Sequence, residues 1–157
     1  MADDISARLS GIKPIVDRML SLAPKLRRKG LRKAARQAMN IVRDDAKTRA
    51  RALDDPETAE KIWKNIVTQE YSRQGQREGG VVMKVGIRGG AGANQHSKDA
   101  SGNPGGDTRH WRFIEFGTQF TPPAPFMRPA FSSKVGAVTD RFVAVFSQEI
   151  DAALGGR

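Results

Sequence analysis

Acid–base or metal chemistry in this chain would have to start from few parts. Cysteine is absent and histidine occurs twice, at His96 and His110. That excludes disulfides, thiolate metal sites and cysteine nucleophiles, and leaves no third imidazole for a histidine-based metal site. His110 and Glu115 stand five positions apart in a stretch that reads as a strand. An odd spacing places them on opposite faces, so they read as two surface polar residues and not as a base with its orienter. Asp54, Asp55, Glu57 and Glu60 crowd together, but without the mid-loop glycine and terminal bidentate glutamate of a calcium loop. They read as a solvated, helix-capping stretch. GIRGGAG (86–92) has the composition of a phosphate loop, yet no Lys-Ser/Thr follows its glycines and no helix is expected to turn its amides toward an anion. The sequence thus assigns no catalytic residue, no cofactor and no metal ligand. A toxin-like nuclease fails for want of a His/Asp/Glu cluster.

The elements around these residues read as one α+β domain over residues 1–157, with N-terminal helices, a small antiparallel β-sheet and a C-terminal helix packed on that sheet. In the N-terminal segment, 1–25, Ile12, Ile15, Val16, Met19 and Leu20 recur at helical spacing, and Ala23-Pro24 breaks the pattern. A longer helix follows over about 26–52, with Leu31, Ala34, Ala35, Ala38, Val42 and Ala46 on one alanine-rich stripe. Arg49 falls within that stripe, so it needs a carboxylate or carbonyl partner or marks where the helix leaves the core. Strands are expected in 65–73, with Val67, Gln69 and Tyr71 on one side, and in 80–88, with Val81, Met83, Val85 and Ile87 together. QGQREGG between them reads as a hairpin turn. Seven of the sixteen glycines fall between 86 and 107, so 86–108 reads as a flexible glycine-rich loop, ordered only by neighbours. A third strand is expected at 109–116, and a last helix from about Phe126 to Leu154, closed by Gly155-Gly156.

The net charge of +10 is concentrated in one place. Lys25 to Arg51 holds eleven Lys and Arg against Asp44 and Asp45, or +9, so the rest of the chain sums to about neutral. Arg28, Arg32, Arg36, Arg43 and Lys47 share the face about 140° round from the apolar stripe. They are candidates for contact with DNA or with an acidic partner. No run approaches the roughly 18 apolar residues of a membrane span, and the acidic start MADDISARLSG is unlike a signal peptide. A soluble, cytoplasmically made protein is expected.

RHWRFIEFGTQFTPPAPFMRPAF, residues 109–131, holds five of the seven phenylalanines and four of the eight prolines. As a strand it would be apolar on both faces, followed by a proline-stiffened arm whose aromatics suit a partner's groove or its own domain. Gly105 to Thr108, Glu115 to Thr118 and Pro125 to Ala130 together resemble the signature of the tail-completion, or head–tail joining, family of long-tailed bacteriophages. The break at Leu22 to Lys25 and the helix RKAARQAMNIVRDDAKTRA are also similar. The chain departs from the family's pattern where ARALDDPETAEKIWKNI precedes the first strand, which leaves the entry to the sheet open.

The resemblance implies a small α+β virion protein of the tail or neck without enzymatic activity. It would form a ring of identical copies, hexameric in the family, between the tail tube or terminator and the head connector. Genomic DNA would pass through the lumen, with no membrane contact and no small-molecule substrate. Assembly would take place in the host cytoplasm. Trp111, Phe113, Glu115, Phe116, Gly117, Thr118, Phe120, Pro125, Phe126, Met127, Arg128 and Pro129 are the expected interface. The alternative is a basic nucleic-acid-binding module acting through the 25–51 helix, which would not need the aromatic segment.

Overall fold

The computed structural model describes residues 13–77, 80–88 and 102–155, and its first element is a helix, α1 (residues 13–20). The chain breaks at Ala23, and Pro24 opens α2 (Pro24–Ala52) in the first turn, where its missing N–H costs nothing. The buried row of α2 is Gly30, Ala34, Ala38, Val42, Ala46 and Ala50, one residue every four and none larger than valine. So small a row lets another helix come close. At Gly30 an added Cβ would lie 3.2 Å from Cβ of Glu149 and 3.4 Å from the Phe146 ring.

After α2, Asp55 shapes the turn by accepting from the Glu57 N–H at 2.9 Å, and Asp54 pairs with Lys61 at 3.1 Å. The acidic stretch is therefore partly tied down inside the fold. The sheet is entered through one helical turn, α3 (Ile62–Asn65), which runs directly into β1 (Ile66–Glu70). The connection expected to be a hairpin turn carries a short helix, α4 (Ser72–Arg77), before β2 (Met83–Ile87). The strands pair antiparallel, with Ile66 opposite Ile87, Thr68 opposite Val85 and Glu70 opposite Met83.

That register corrects the expected face of β1. Ile66 is fully buried beside Val85 and Ile87, so Ile66, Thr68 and Glu70 share the inner side, and Val67 and Gln69 the outer. Polar residues hold two of the three inward positions, which hides the alternation. Glu70 is acceptable there because Arg32 of α2 meets it with two hydrogen bonds, at 2.6 and 3.0 Å.

The expected third strand is a helix, α5 (Trp111–Phe116). Apolar residues on both sides of a supposed strand were the sign of the wrong period. At helical spacing Trp111, Ile114 and Glu115 turn inward, while Phe113 and Phe116 stay outside. The last element, α6 (Met127–Gly155), runs along α2, which also contacts both strands. Val42, Ala46, Ala50, Ile66, Phe126 and Ala130 form one core; Leu22, Ala34, Val145, Phe146 and Ile150 form a second. The principal support of α6 is therefore α2, with the sheet sharing the first core.

Ala34 has no exposed surface. Ala34→Leu should cost about 1–3 kcal/mol by overpacking the helix pair, measured by urea denaturation. Ala144→Leu, on the exposed side of α6, should stay within about 0.5 kcal/mol. Equal effects would mean that the small row does not set the approach.

Candidate functional site

Glu115, in the last turn of α5, is 1 % exposed. One carboxylate oxygen accepts the N–H groups of Phe126 at 2.8 Å and Met127 at 2.9 Å. The other accepts the Arg128 N–H at 3.0 Å and its Nε at 3.2 Å, while the same guanidinium donates to the Glu115 carbonyl at 2.8 Å. These are the donors that the first turn of α6 cannot satisfy internally, and a negative charge is favoured at that end of a helix. Pro129, next in line, has no N–H to satisfy. Glu115 is thus an internal cap linking two halves of the signature, not a surface residue.

Between the clamped ends the chain makes a tight loop. Gly117 has φ +76°, and a Cβ there would come within 2.9 Å of the Thr121 oxygen and the Pro123 nitrogen, so only glycine fits. The Thr118 hydroxyl accepts the N–H groups of Phe120 at 3.2 Å and Thr121 at 3.1 Å. The loop returns where the Ala124 N–H meets the Ile114 carbonyl at 2.8 Å. Three large side chains remain outside: Phe113 is 62 % exposed, Phe116 60 % and Phe120 86 %. Arg128 lies over the Phe116 ring at 5.0 Å. Beside it, Met39, Val42, Met83, Val85, Met127 and Phe131 line an apolar groove of about 560 Å³.

The expected interface therefore divides. Phe113, Phe116 and Phe120 are surface; Gly117, Thr118, Arg128 and Pro129 shape the loop and the helix start. Trp111 and Met127 are partly buried against the first core, and Pro125 is exposed. Phe126, expected as an anchor for a partner, is 1 % exposed and belongs to that core. The helix start it precedes is pinned by Glu115, which directs its ring inward.

The Gly105–Thr108 stretch corrects the expected anchorless loop. Asn65, at the end of α3, accepts the Gly105 N–H at 2.8 Å and donates to the Gly106 carbonyl at 3.0 Å and the Thr108 hydroxyl at 2.8 Å. The Lys61 N–H donates to the Gly105 carbonyl at 2.8 Å, and a Cβ on Gly105 would fall 2.0 Å from the Lys61 oxygen. The Thr108 carbonyl then accepts the Trp111 N–H at 3.0 Å and starts α5. Nothing in the sequence around Asn65 signals this role, because its partners lie some forty positions away. Residues 89–101 of the expected mobile loop lie outside the described residues.

The basic face of α2 is not a free row. Arg32 is held by Glu70, whose carboxyl is drawn below the usual range by the Arg32 hydrogen bonds, against the effect of burial, with help from the charges of Arg32, Arg28 and Arg36. Arg43 bonds Asp44 at 2.8 Å, and Arg49 finds its carboxylate in Asp45 at 2.6 Å. Arg51 stacks over the Trp63 ring at 4.1 Å. Lys47 is partly buried, and Arg28 and Arg36 are exposed.

Among the described residues no group of three His, Asp or Glu side chains could hold a metal, and no helix is long and apolar enough to cross a membrane. What the geometry offers is a helical scaffold whose α5–α6 corner is pinned by a buried carboxylate and leaves Phe113, Phe116 and Phe120 exposed. Over residues 14–117, about two thirds of its length, the chain matches the family described as "Bacteriophage HK97-gp10, putative tail-component". It belongs to that family, and so to the structural proteins of phage tails and to the virion. The match ends at Gly117, so the loop and α6 lie beyond it. No curated protein and no solved structure matches the chain.

Glu115 also makes stability depend on pH. Burial, the largest influence, opposes its charge, but the N–H groups of Met127, Arg128 and Phe126 and the Arg128 guanidinium outweigh it and lower its pKa. A carboxyl lowered in the folded state adds stability that is complete above its unfolded value of about 4.3. That stability is lost as pH falls through the folded value. Glu115→Gln should therefore cost about 1.5–3 kcal/mol at pH 7, and its gap from the parent should narrow as pH falls below about 4. Urea titrations of both proteins at pH 7 and pH 2.5 check this; a constant gap would show that the charge is not the source.

Proposed function

We propose that this tail component completes the tail and joins it to the head connector, as one copy in a ring of identical subunits at the neck. The observation that carries the reading is the trio Phe113, Phe116 and Phe120, all exposed, the first two on α5 and the third on the loop after it, with the corner between them held in one shape by the buried Glu115 carboxylate and the Thr118 hydroxyl. Water-exposed phenylalanines at a mobile tip would be ordinary; on a pre-shaped corner they lower the entropic cost of docking a partner. The groove along Met39, Met83 and Phe131 supplies a second apolar feature. A ring needs two complementary surfaces on each copy, because each subunit meets one neighbour with one patch and the next with another. Six copies, the tail tube or terminator on one side and the connector on the other, complete the reading. The role is mechanical and requires no catalysis.

Two substitutions separate interface from core. Phe120→Ala should leave the melting curve of the isolated subunit within about 0.5 kcal/mol of the parent, while joined particles fall sharply in an assembly assay with tails and filled heads. Phe126→Ala should destabilise the subunit itself, by about 3–5 kcal/mol. If the triple variant Phe113→Ala, Phe116→Ala, Phe120→Ala folds and joins particles normally, the aromatic loop is not the joining surface.

A further inference from the structure

Between Pro24 and Arg43 the chain carries seven Lys and Arg before Arg43 itself and no acidic residue. Among the described residues two carboxylates pair with this half of α2, Glu70 with Arg32 and Glu149 with Lys33, the latter at 2.5 Å. Lys25, Arg27, Arg28, Lys29 and Arg36 make no ion pair among the described residues. All but the half-buried Arg27 are exposed. Arg27 and Arg28 form one wall of a cleft of about 260 Å³ whose other wall is Gly75, Gln76 and Gly80, from α4 and the turn after it. The same helix α4 brings Arg73 and Arg77, both exposed. A second element thus adds cations where the first already has an excess.

We infer that Arg27 and Arg28 at this cleft, together with the exposed cations of α2 and α4, form a binding surface for the phosphate backbone of duplex DNA, read without regard to sequence. From Lys25 to Arg36 the helix advances about 16 Å, at about 1.5 Å per residue. That matches the axial reach of about five successive phosphates on one strand, at about 3.4 Å each. Arginine predominates, and its planar fork pairs with phosphate oxygens in two bonds where lysine offers a point charge. Among the described residues no aromatic side chain lines the cleft, so they offer no platform for stacked bases. Contact with the backbone and not with base edges is what such a surface can make. The site differs from the row expected from sequence, because Arg32 and Arg43 are already occupied and Arg27 and α4 come in.

This inference rests on charge and geometry and not on the joining role, so either can fail alone. The test is fluorescence anisotropy of the full chain with two 20-base-pair duplexes of unrelated sequence, across a range of salt. Both should bind alike, with Kd about 10⁻⁴–10⁻⁶ M at physiological salt. Arg27→Gln, Arg28→Gln, Arg36→Gln together should weaken binding at least tenfold and flatten the salt slope by about one per cation removed. The surface variant Lys25→Gln, Lys29→Gln should act in the same direction if the triple variant fails to fold. Arg43→Gln, Arg49→Gln, which removes paired cations, should change little. No duplex binding, or an equal loss in the Arg43 and Arg49 variant, overturns the proposal. Tighter binding of polyglutamate than of duplex would overturn it in favour of an acidic protein surface.

Discussion

A single carboxylate decides how the second half of the chain is arranged. Without Glu115, the first turn of α6 would begin inside the protein with unpaired N–H groups, each costing about 1–3 kcal/mol where it is buried. With it, the end of α5 and the start of α6 are fixed to each other by four donors on one carboxylate. Two consequences follow from the same bonds. Phe126 and Ala130 are set against Val42, Ala46 and Ala50 of α2. The ten residues between Glu115 and Phe126 are turned outward, where Gly117 and Thr118 fold them into a loop that carries Phe120.

Asn65 does for the start of α5 what Glu115 does for its end. It holds Gly105, Gly106 and Thr108 against the α3–β1 junction, and the Thr108 carbonyl receives the first N–H of the helix. The three parts of the signature are thus three parts of one mechanical device: a docking point, a capped corner and a helix start. Gly105 to Thr108 are engaged with Asn65 and Lys61, Glu115 with the start of α6, and Phe126 and Ala130 with α2, so much of the signature is used inside the subunit. The phenylalanines between the fixed points are what remains.

Much of the scaffold was legible in the sequence because it repeats. The small residues of α2 recur every four positions and the valines of β2 alternate, and both elements stand where those periods place them. What was not legible depends on partners distant in sequence. Inward Thr68 and Glu70 look like surface residues until Arg32 is seen beside Glu70, and so the face of β1 reads inverted. Residues 111–116 are apolar at both periods, and only their burial shows the helical one. The +9 of α2 was plain from composition, but which cations are neutralised depends on Glu70, Glu149, Asp44 and Asp45. That division moves the free charge to the start of the helix.

The central claim is that the signature is an internal clamp whose purpose is to hold the aromatic loop out toward a neighbour. Cryo-electron microscopy of assembled tails, at a resolution that shows side chains, tests it in one map. The account predicts Glu115 still seated on the N–H groups of Phe126, Met127 and Arg128, with Phe113, Phe116 and Phe120 covered by an adjacent chain. Phenylalanines left in solvent, or a Glu115 swung out to bond a neighbour, would contradict it.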